Sequence, residues 1–192
     1  MKTTLIAAAL FAAFSTAAVA DPITYTIDPS HAQVAFTYSH MGFSNITGRF
    51  DTIEGTLTYD PQAPEKSSIE ISVDVNSVST GVVKMDEHLK AEDFLDAAAH
   101  PKATFKSTEV SSAGQGKLKL TGDLTIHGVT APASFDVTVN KIGEHPMRGV
   151  PAAGFDATGT IERAAFGVEK YLQVTGPEVK LAITIEALGP KP

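Results

Sequence analysis

Regular alternation of apolar and polar residues is the feature of this chain that most restricts its fold. Valine, leucine and isoleucine occupy nearly every second position in residues 178–186, and the same pattern fills residues 68–76. A period of two places successive side chains on opposite faces of a strand. The resulting sheet has one apolar face, which must be hidden by stacking on a second layer or by closure of the sheet on itself. A closed sheet can also enclose a ligand.

Weaker alternation elsewhere extends this pattern to about eight strands. The further predicted strands are residues 23–27, 32–39, 49–59, 103–107, 117–126, 133–140 and 154–161. Asp28-Pro29-Ser30 is typical of a turn, Gly55 of a bulge or a close backbone approach, and His127-Gly128 of a tight hairpin turn. Short connections favour antiparallel neighbours.

The strand pattern predicts an all-β protein, an antiparallel closed barrel of about eight strands. The interior of such a barrel holds packed side chains or one small ligand. A two-sheet sandwich fits the periodicity almost as well. We also expect a short helical insertion near residues 84–100, in which Asp86 and Asp93 cap successive turns and Pro101 ends the helical stretch.

The first 20 residues have the composition of a secretory signal peptide. Lys2 is followed by an apolar run over residues 5–14, and Ala18-Val19-Ala20 forms a small-residue cleavage site. We therefore predict a signal peptide over residues 1–20, one domain over residues 21–192, and localisation in a bacterial periplasm. No later segment reaches the roughly 18 consecutive apolar residues of a membrane helix, so the protein is not expected to be embedded in a membrane.

The charge balance and the absence of cysteine restrict the partners and the chemistry. The formal net charge is −7 and the chain contains 0 cysteines. An acidic surface argues against nucleic acid as a partner, because such binding requires basic patches. The lack of cysteine excludes disulfides and thiolate chemistry. A transient contact with a membrane or a membrane protein, and a homodimer, both stay open.

Neither catalytic nor metal-binding signatures are found in the sequence. There is no G-x-S-x-G elbow, no phosphate-binding loop and no cofactor fingerprint. The six histidines lack the close spacing of a metal-ligand motif. The sequence therefore predicts no enzyme, no catalytic residue, no metal site and no cofactor other than a bound lipid or quinone.

Several motifs in order resemble the YceI-like family of exported lipid-binding proteins. The most characteristic is residues 122–130, Gly-Asp-Leu-Thr-Ile-His-Gly-Val-Thr. Residues 28–31 with 48–50 are similar to the opening of the family, residues 86–89, 93–96, 101 and 105–107 to its helical insertion, and residues 163–168 to its close. The chain departs from the family pattern at Ala32, Met85 and Leu95. The resemblance covers residues 23–187.

The resemblance implies a lipocalin-like barrel with a long apolar channel. It implies a periplasmic binding protein that holds or transports a long-chain isoprenoid lipid, of the polyprenyl or isoprenoid quinone type. The predicted channel residues, most of them on the inward phase of the strands, are Val34, Phe36, Tyr38, Phe50, Leu57, Ile71, Val73, Leu89, Phe94, Phe105, Leu118, Leu120, Phe135, Val137, Phe155, Phe166, Leu181 and Ile183. His31, His40 and His88 are candidate headgroup contacts at the channel mouth.

Two other functions fit the same sequence. One is a stress-responsive structural or interaction protein with a plugged barrel, which would require a fully packed interior. The other is a redox-linked protein that presents a quinone to a membrane partner. The helical insertion around Leu89 and Phe94 is equally compatible with a lid and with an ordinary packed segment.

Overall fold

The structure is a computed structural model that describes residues 22–191, so the predicted signal peptide over residues 1–20 lies outside the described residues. One antiparallel sheet of ten strands contains nearly all of the regular structure. The strands are β1 (Ile23–His40), β2 (Ser44–Phe50), β3 (Ile53–Tyr59), β4 (Ser68–Asp74), β5 (Val78–Ser79), β6 (Lys102–Gly114), β7 (Lys117–Ile126), β8 (Val129–Glu144), β9 (Pro151–Glu162) and β10 (Glu178–Leu188).

The sheet closes into a barrel because β10 pairs with both β9 and β1. One edge of β1 pairs with β3 and then with β2, so β2 and β3 form one long strand that is broken at residues 51–52. The hydroxyl of Ser77 accepts hydrogen bonds from the backbone N–H groups of Asp51 and Thr52 at this break. With β2 and β3 counted as one strand, and without the two-residue β5, the barrel wall contains eight antiparallel strands. The prediction of an eight-stranded closed barrel is confirmed, and the sandwich alternative is wrong.

The two ends of the barrel differ in their covering. At one end, here called the helical end, lie α1 (Val83–Lys90), a turn segment over residues 91–101, a 3-10 turn (Arg163–Phe166) and α2 (Leu172–Thr175). The β1–β2 and β7–β8 turns reach the same end. At the far end the rings of Tyr59 and Phe155 meet edge to face at 5.5 Å, beside the buried Ala153 and Ala187.

The predicted turn at Asp28-Pro29-Ser30 is wrong. The chain continues through it as a single strand, with a bulge that shifts the register between Ile27 and Ala32 against β10. The Asp28 carboxylate accepts a hydrogen bond from the Ser30 backbone N–H at 3.0 Å, and proline has no N–H to satisfy. Asp28 and Ser30, which suggested a turn, therefore form a hydrogen bond within a continuous strand, and the chain does not reverse direction there.

The β7–β8 hairpin agrees with its prediction. Ile126 pairs with Val129, and the two residues between them, His127 and Gly128, have φ angles of 52° and 73°. Two consecutive residues with positive φ are the requirement of a two-residue hairpin turn that matches the strand twist. Gly55 is a close approach, because a Cβ at this position would lie 2.3 Å from the Glu70 carbonyl oxygen.

The helical insertion is smaller than predicted. A single α-helix, α1, begins at Val83, and the residues after it form turns up to Pro101. Asp86 does not cap the helix from outside; it lies in the first turn and accepts hydrogen bonds from the Thr80 backbone and hydroxyl at 2.7 and 2.6 Å. Within residues 22–191 no helix is both long and apolar enough to cross a membrane.

Candidate functional site: an apolar cavity inside the barrel

The barrel encloses a cavity of about 410 Å³ that extends to the helical end. This volume lies in the range of about 300–1,000 Å³ that is typical of small-molecule sites. Inward side chains of all eight wall strands line the cavity, because alternate residues of a barrel strand face the interior. Valine, leucine, isoleucine and phenylalanine make up most of the lining. The site can therefore hold an apolar guest and offers it few polar contacts along its length.

All 18 of the residues predicted from the sequence lie in this wall or at its helical end. Val34, Phe36, Tyr38, Phe50, Leu57, Ile71, Val73, Leu89, Phe94, Phe105, Leu118, Leu120, Phe135, Val137, Phe155, Phe166, Leu181 and Ile183 line the cavity. Contact of these side chains with a lipid stays a prediction.

Three phenylalanine rings that line the cavity pack closely against glycines of the barrel wall. A Cβ placed on Gly48 would be 2.3 Å from the ring of Phe36, and one on Gly159 would be 2.6 Å from the ring of Phe135. Gly122 stands in the same relation to Phe105, at 2.6 Å. Each glycine leaves room for a neighbouring aromatic ring beside the strand backbone. The positions of these three rings therefore depend on residues that carry no side chain.

The main charged group at the mouth is Arg163, which is 8% exposed and lines the cavity. Its guanidinium donates hydrogen bonds to the Thr175 hydroxyl and to the carbonyl of Lys170, both at 2.6 Å. It also lies 5.8 Å from the centre of the Phe94 ring. Burial lowers the pKa of Arg163 from its ordinary value. No salt bridge in the described part of the chain joins this guanidinium to a carboxylate.

Two of the three predicted headgroup histidines lie at the same end of the cavity as Arg163. His40 and His88 line the cavity at the helical end, where His88 stacks edge to face on Phe94 at 4.6 Å. His31 lies elsewhere. Its side chain is 56% exposed and its ring bonds to Asp28 at 3.2 Å, outside the cavity, so the structure does not bring it to the mouth. His31 is out of phase with the inward residues Val34 and Phe36, and it lies beside Asp28.

Sequence reasoning missed several residues of the mouth. Arg163 was quoted only as part of a motif, and no role was assigned to Met85, Tyr171 or Val174. The Tyr38 hydroxyl donates a weak hydrogen bond to the Met85 sulfur at 3.7 Å, which links β1 to α1. Met85 and Val174 lie in the short helices α1 and α2, and Arg163 and Tyr171 lie in turns, so the segments are too short for a periodicity that indicates the direction of a side chain. The arginine directly before the apolar residues 164–166 was the one usable signal.

Titratable residues also gather outside the cavity. The groups Asp96, His100, His127 and Asp28, His31, Glu186 each place three potential ligand atoms within 4.8 Å of one another. The sequence-based expectation of no metal site considered only close spacings, which cannot detect groups assembled from distant segments.

Asp28 belongs to a charge network at the far end of the barrel. The hydrogen bond from the Ser30 backbone, together with His31 and Arg148, holds the pKa of Asp28 below its ordinary value.

Comparison with known proteins now identifies the barrel. The YceI-like domain family matches residues 25–187, which is nearly all of the described chain. The chain belongs to this family. A UPF0312 protein of Vibrio cholerae serotype O1 is 39% identical over 171 residues, which cover 88% of this chain and 90% of the relative.

Solved structures share the fold. Burkholderia cenocepacia BcnA superimposes with a TM-score of 0.75 at 26% identity, covering 83% of this chain and 98% of BcnA. A polyisoprenoid binding domain from Saccharophagus degradans has a TM-score of 0.66 at 16% identity, covering 88% of this chain and 99% of that domain. At that identity the second likeness shows the fold alone.

Proposed function

We propose that this YceI-like protein binds one long-chain isoprenoid lipid, of the polyprenyl or isoprenoid quinone type, inside its barrel. The observation that carries the proposal is the apolar cavity of about 410 Å³ within a closed wall. A plugged barrel, the structural alternative, would require that volume to be filled by side chains. No catalytic role is part of the proposal.

The driving force is burial of the lipid tail. Each methylene group moved from water into such a cavity contributes roughly 0.8 kcal/mol, and part of this gain is lost in ordering a flexible chain. Affinity should therefore rise with tail length until the cavity is full. An apolar wall discriminates between lipids by the length and width of their tails better than by the chemistry of their headgroups.

The headgroup is proposed to lie at the helical end. Arg163 presents a guanidinium there without a carboxylate partner among the described residues, and His40 and His88 lie in the same part of the wall. A phosphate or a quinone carbonyl offers acceptor oxygens to such donors. Both headgroups thus fit the same position, and the redox-linked alternative differs from simple carriage in that the bound quinone is presented to a membrane partner.

Exposed apolar side chains around this end support loading from a membrane surface. Seven of the eight large hydrophobic side chains exposed in the described chain lie here, and Met147 is at the far end. They are Met41, Phe43, Val82, Val83, Val129, Tyr171 and Val174. Met41, Tyr171 and Val174 also line the cavity, so these seven exposed side chains, here called the rim, are continuous with the cavity wall. We propose that the lipid passes between a bilayer and the cavity across this rim.

Export to the periplasm is proposed on the composition of residues 1–20. A carrier is needed there because an isoprenoid tail cannot cross an aqueous compartment without shielding. The polyisoprenoid binding domain of Saccharophagus degradans has the same kind of barrel, which is consistent with this use of the fold.

The test is a titration of the purified protein with prenyl alcohols of increasing chain length. Val137→Asp places a carboxylate on the inward face, and Thr138→Asp places one on the next, outward position, beside Lys117. We expect the affinity to rise steeply with chain length in the parent and in Thr138→Asp. In Val137→Asp the affinity for long alcohols should be at least about a hundredfold lower than in the parent, because an unpaired charge in an apolar cavity is costly. Ala157→Trp, which fills the cavity without a charge, should have the same effect. Equal affinity for short and long alcohols, or full binding by both inward variants while folded, would contradict the proposal.

A further inference from the structure

Three metal-ligating side chains converge at the helical end, beside the cavity but outside its lining. Asp96 and His100 lie in the turn segment between α1 and β6, and His127 lies in the β7–β8 turn. One ligand atom of each lies within 4.8 Å of those of the other two. All three residues are partly exposed, so a cation from solvent can reach them.

The backbone holds this cluster in place. The His100 N–H donates a hydrogen bond to the Asp96 carbonyl at 2.8 Å, and the Asp96 N–H donates one to the Ala91 carbonyl at 3.0 Å. The His100 ring lies against the hairpin turn so closely that a Cβ on Gly128 would be 2.5 Å from the imidazole Cε1. The rings of His100 and His127 are 5.3 Å apart and nearly perpendicular. Two distant segments are thus fixed against each other.

A second observation points to a missing partner. The Nδ1 atom of His127 is shielded from solvent and has no hydrogen-bond partner within residues 22–191. Buried polar atoms are nearly always satisfied, because an unsatisfied one costs free energy. Coordination of a metal ion, or reorientation of the ring by one, would satisfy the imidazole.

In the other candidate group, the Asp28 carboxylate already faces a cationic side chain. A guanidinium nitrogen of Arg148 lies 3.1 Å from the Asp28 carboxylate, and His145 lies 3.2 Å from Glu186. In the described part of the chain no salt bridge involves Asp96. The cluster at the helical end can therefore accept a positive ion, whereas Asp28 in the second group already has the Arg148 guanidinium as its counter-charge.

We propose that Asp96, His100 and His127 bind a divalent transition-metal ion. Two imidazoles and one carboxylate suit Zn²⁺ and its neighbours, and the absence of thiolates argues against Cu⁺. Three protein ligands leave a fourth position for water or for an external donor atom. The bound ion would join the segment after α1 to the β7–β8 turn and stabilise the rim. This site is independent of lipid binding.

The test uses chelator-treated protein without a histidine tag, titrated with Zn²⁺ by calorimetry and with Co²⁺ by visible absorption. The variants are Asp96→Asn, His100→Gln and His127→Asn. Residues 96 and 127 have φ angles of 42° and 52°, and asparagine tolerates this region well. His31→Gln, in the second group, is the matched control. Thermal unfolding without metal verifies that each variant folds.

We expect one Zn²⁺ per chain and a rise in melting temperature when Zn²⁺ is added. Each ligand variant should weaken Zn²⁺ at least about tenfold and lose the visible Co²⁺ bands, while His31→Gln binds like the parent. Absence of Zn²⁺ binding, unchanged affinity in His100→Gln and His127→Asn, or loss of binding in His31→Gln would overturn the proposal. If one ligand variant does not fold, the other two decide the outcome.

Discussion

At the scale of single residues, the cavity depends on which side chains are absent. Gly48, Gly122 and Gly159 each accept an aromatic ring against the wall. Periodicity in the sequence indicates which residues face inward, but it does not indicate whether a ring folds back on the wall or points into the bore. The choice between a hollow and a plugged barrel was for this reason open in the sequence and is decided by tertiary contacts.

Gly48→Ala is predicted to narrow the cavity. The new Cβ would lie 2.3 Å from the Phe36 ring, and the closest atoms all belong to this ring, so the ring must turn into the bore. We expect an intact fold, a free energy of unfolding lowered by about 1–3 kcal/mol, and weaker binding of long prenyl alcohols. Urea denaturation and the alcohol titration measure the two effects.

Gly143→Ala is the matched control, because no atom lies within 4 Å of a Cβ at that position. It should leave both the stability and the binding unchanged. Equal behaviour of Gly48→Ala and Gly143→Ala would show that the Phe36 ring does not depend on Gly48.

Asp28 is predicted to stabilise the fold in a pH-dependent way. The Ser30 N–H, His31 and Arg148 stabilise the ionised carboxylate and lower its pKa in the folded state. A lowered folded-state pKa means that the stabilisation is complete above about pH 4, the ordinary pKa of Asp, and is lost as the pH falls through the folded-state value.

Asp28→Asn tests this account by urea denaturation at several pH values. The variant should unfold at lower urea at pH 7, by about 1–2 kcal/mol, and the difference should shrink below pH 4. A difference that stays constant from pH 7 to below the folded-state pKa would contradict the assignment to the ionised carboxylate.

At the scale of elements, strands with one clean apolar face were predictable and irregular segments were not. The alternation of β4 and β10 and the β7–β8 turn agree with the sequence analysis. The Asp28 segment was misread because a polar side chain that bonds its own backbone is equally compatible with a turn and with a bulge. α2 and the turn at Arg163 were missed, since they are too short to show a period.

The helix α1 is predicted to be the most mobile element of the cavity wall. It has no buried residue and no side-chain cap at its N-terminus, and its contacts with the barrel include the weak hydrogen bond from Tyr38 to Met85. Elements with few buried contacts open at low free-energy cost. Leu89, in contrast, lines the cavity, so a bound lipid should hold the helix closed.

Amide hydrogen exchange measures this mobility. In lipid-free protein we expect α1 to exchange at least about tenfold faster than the β7–β8 hairpin, and a bound prenyl lipid to slow α1 more than the hairpin. Equal protection of both elements, or no effect of lipid on α1, would show that the helix is an ordinary packed segment instead of a lid.

At the scale of the whole molecule, the fold and the proposed ligand class come from different sources of information. Alternation with short connections predicted an antiparallel all-β fold but left the sandwich open, and the motifs that resemble the YceI-like family favoured the closed barrel. Most of the eighteen lining residues could be assigned from the inward phase, because barrel geometry leaves each strand only two faces. Leu89, Phe94 and Phe166 lie outside the strands and came from the motifs. The mouth, with Arg163, and the metal-ligating cluster were beyond sequence reasoning, since both assemble residues that are far apart in the chain.

The most direct measurement of the central claim is organic extraction of freshly purified native protein, followed by mass spectrometry of the extract. The account predicts one long-chain isoprenoid lipid per protein molecule, and its loss from Val137→Asp but not from Thr138→Asp purified in parallel. An extract without any long-chain lipid, from protein that also fails to take up prenyl lipids when they are added, would contradict it.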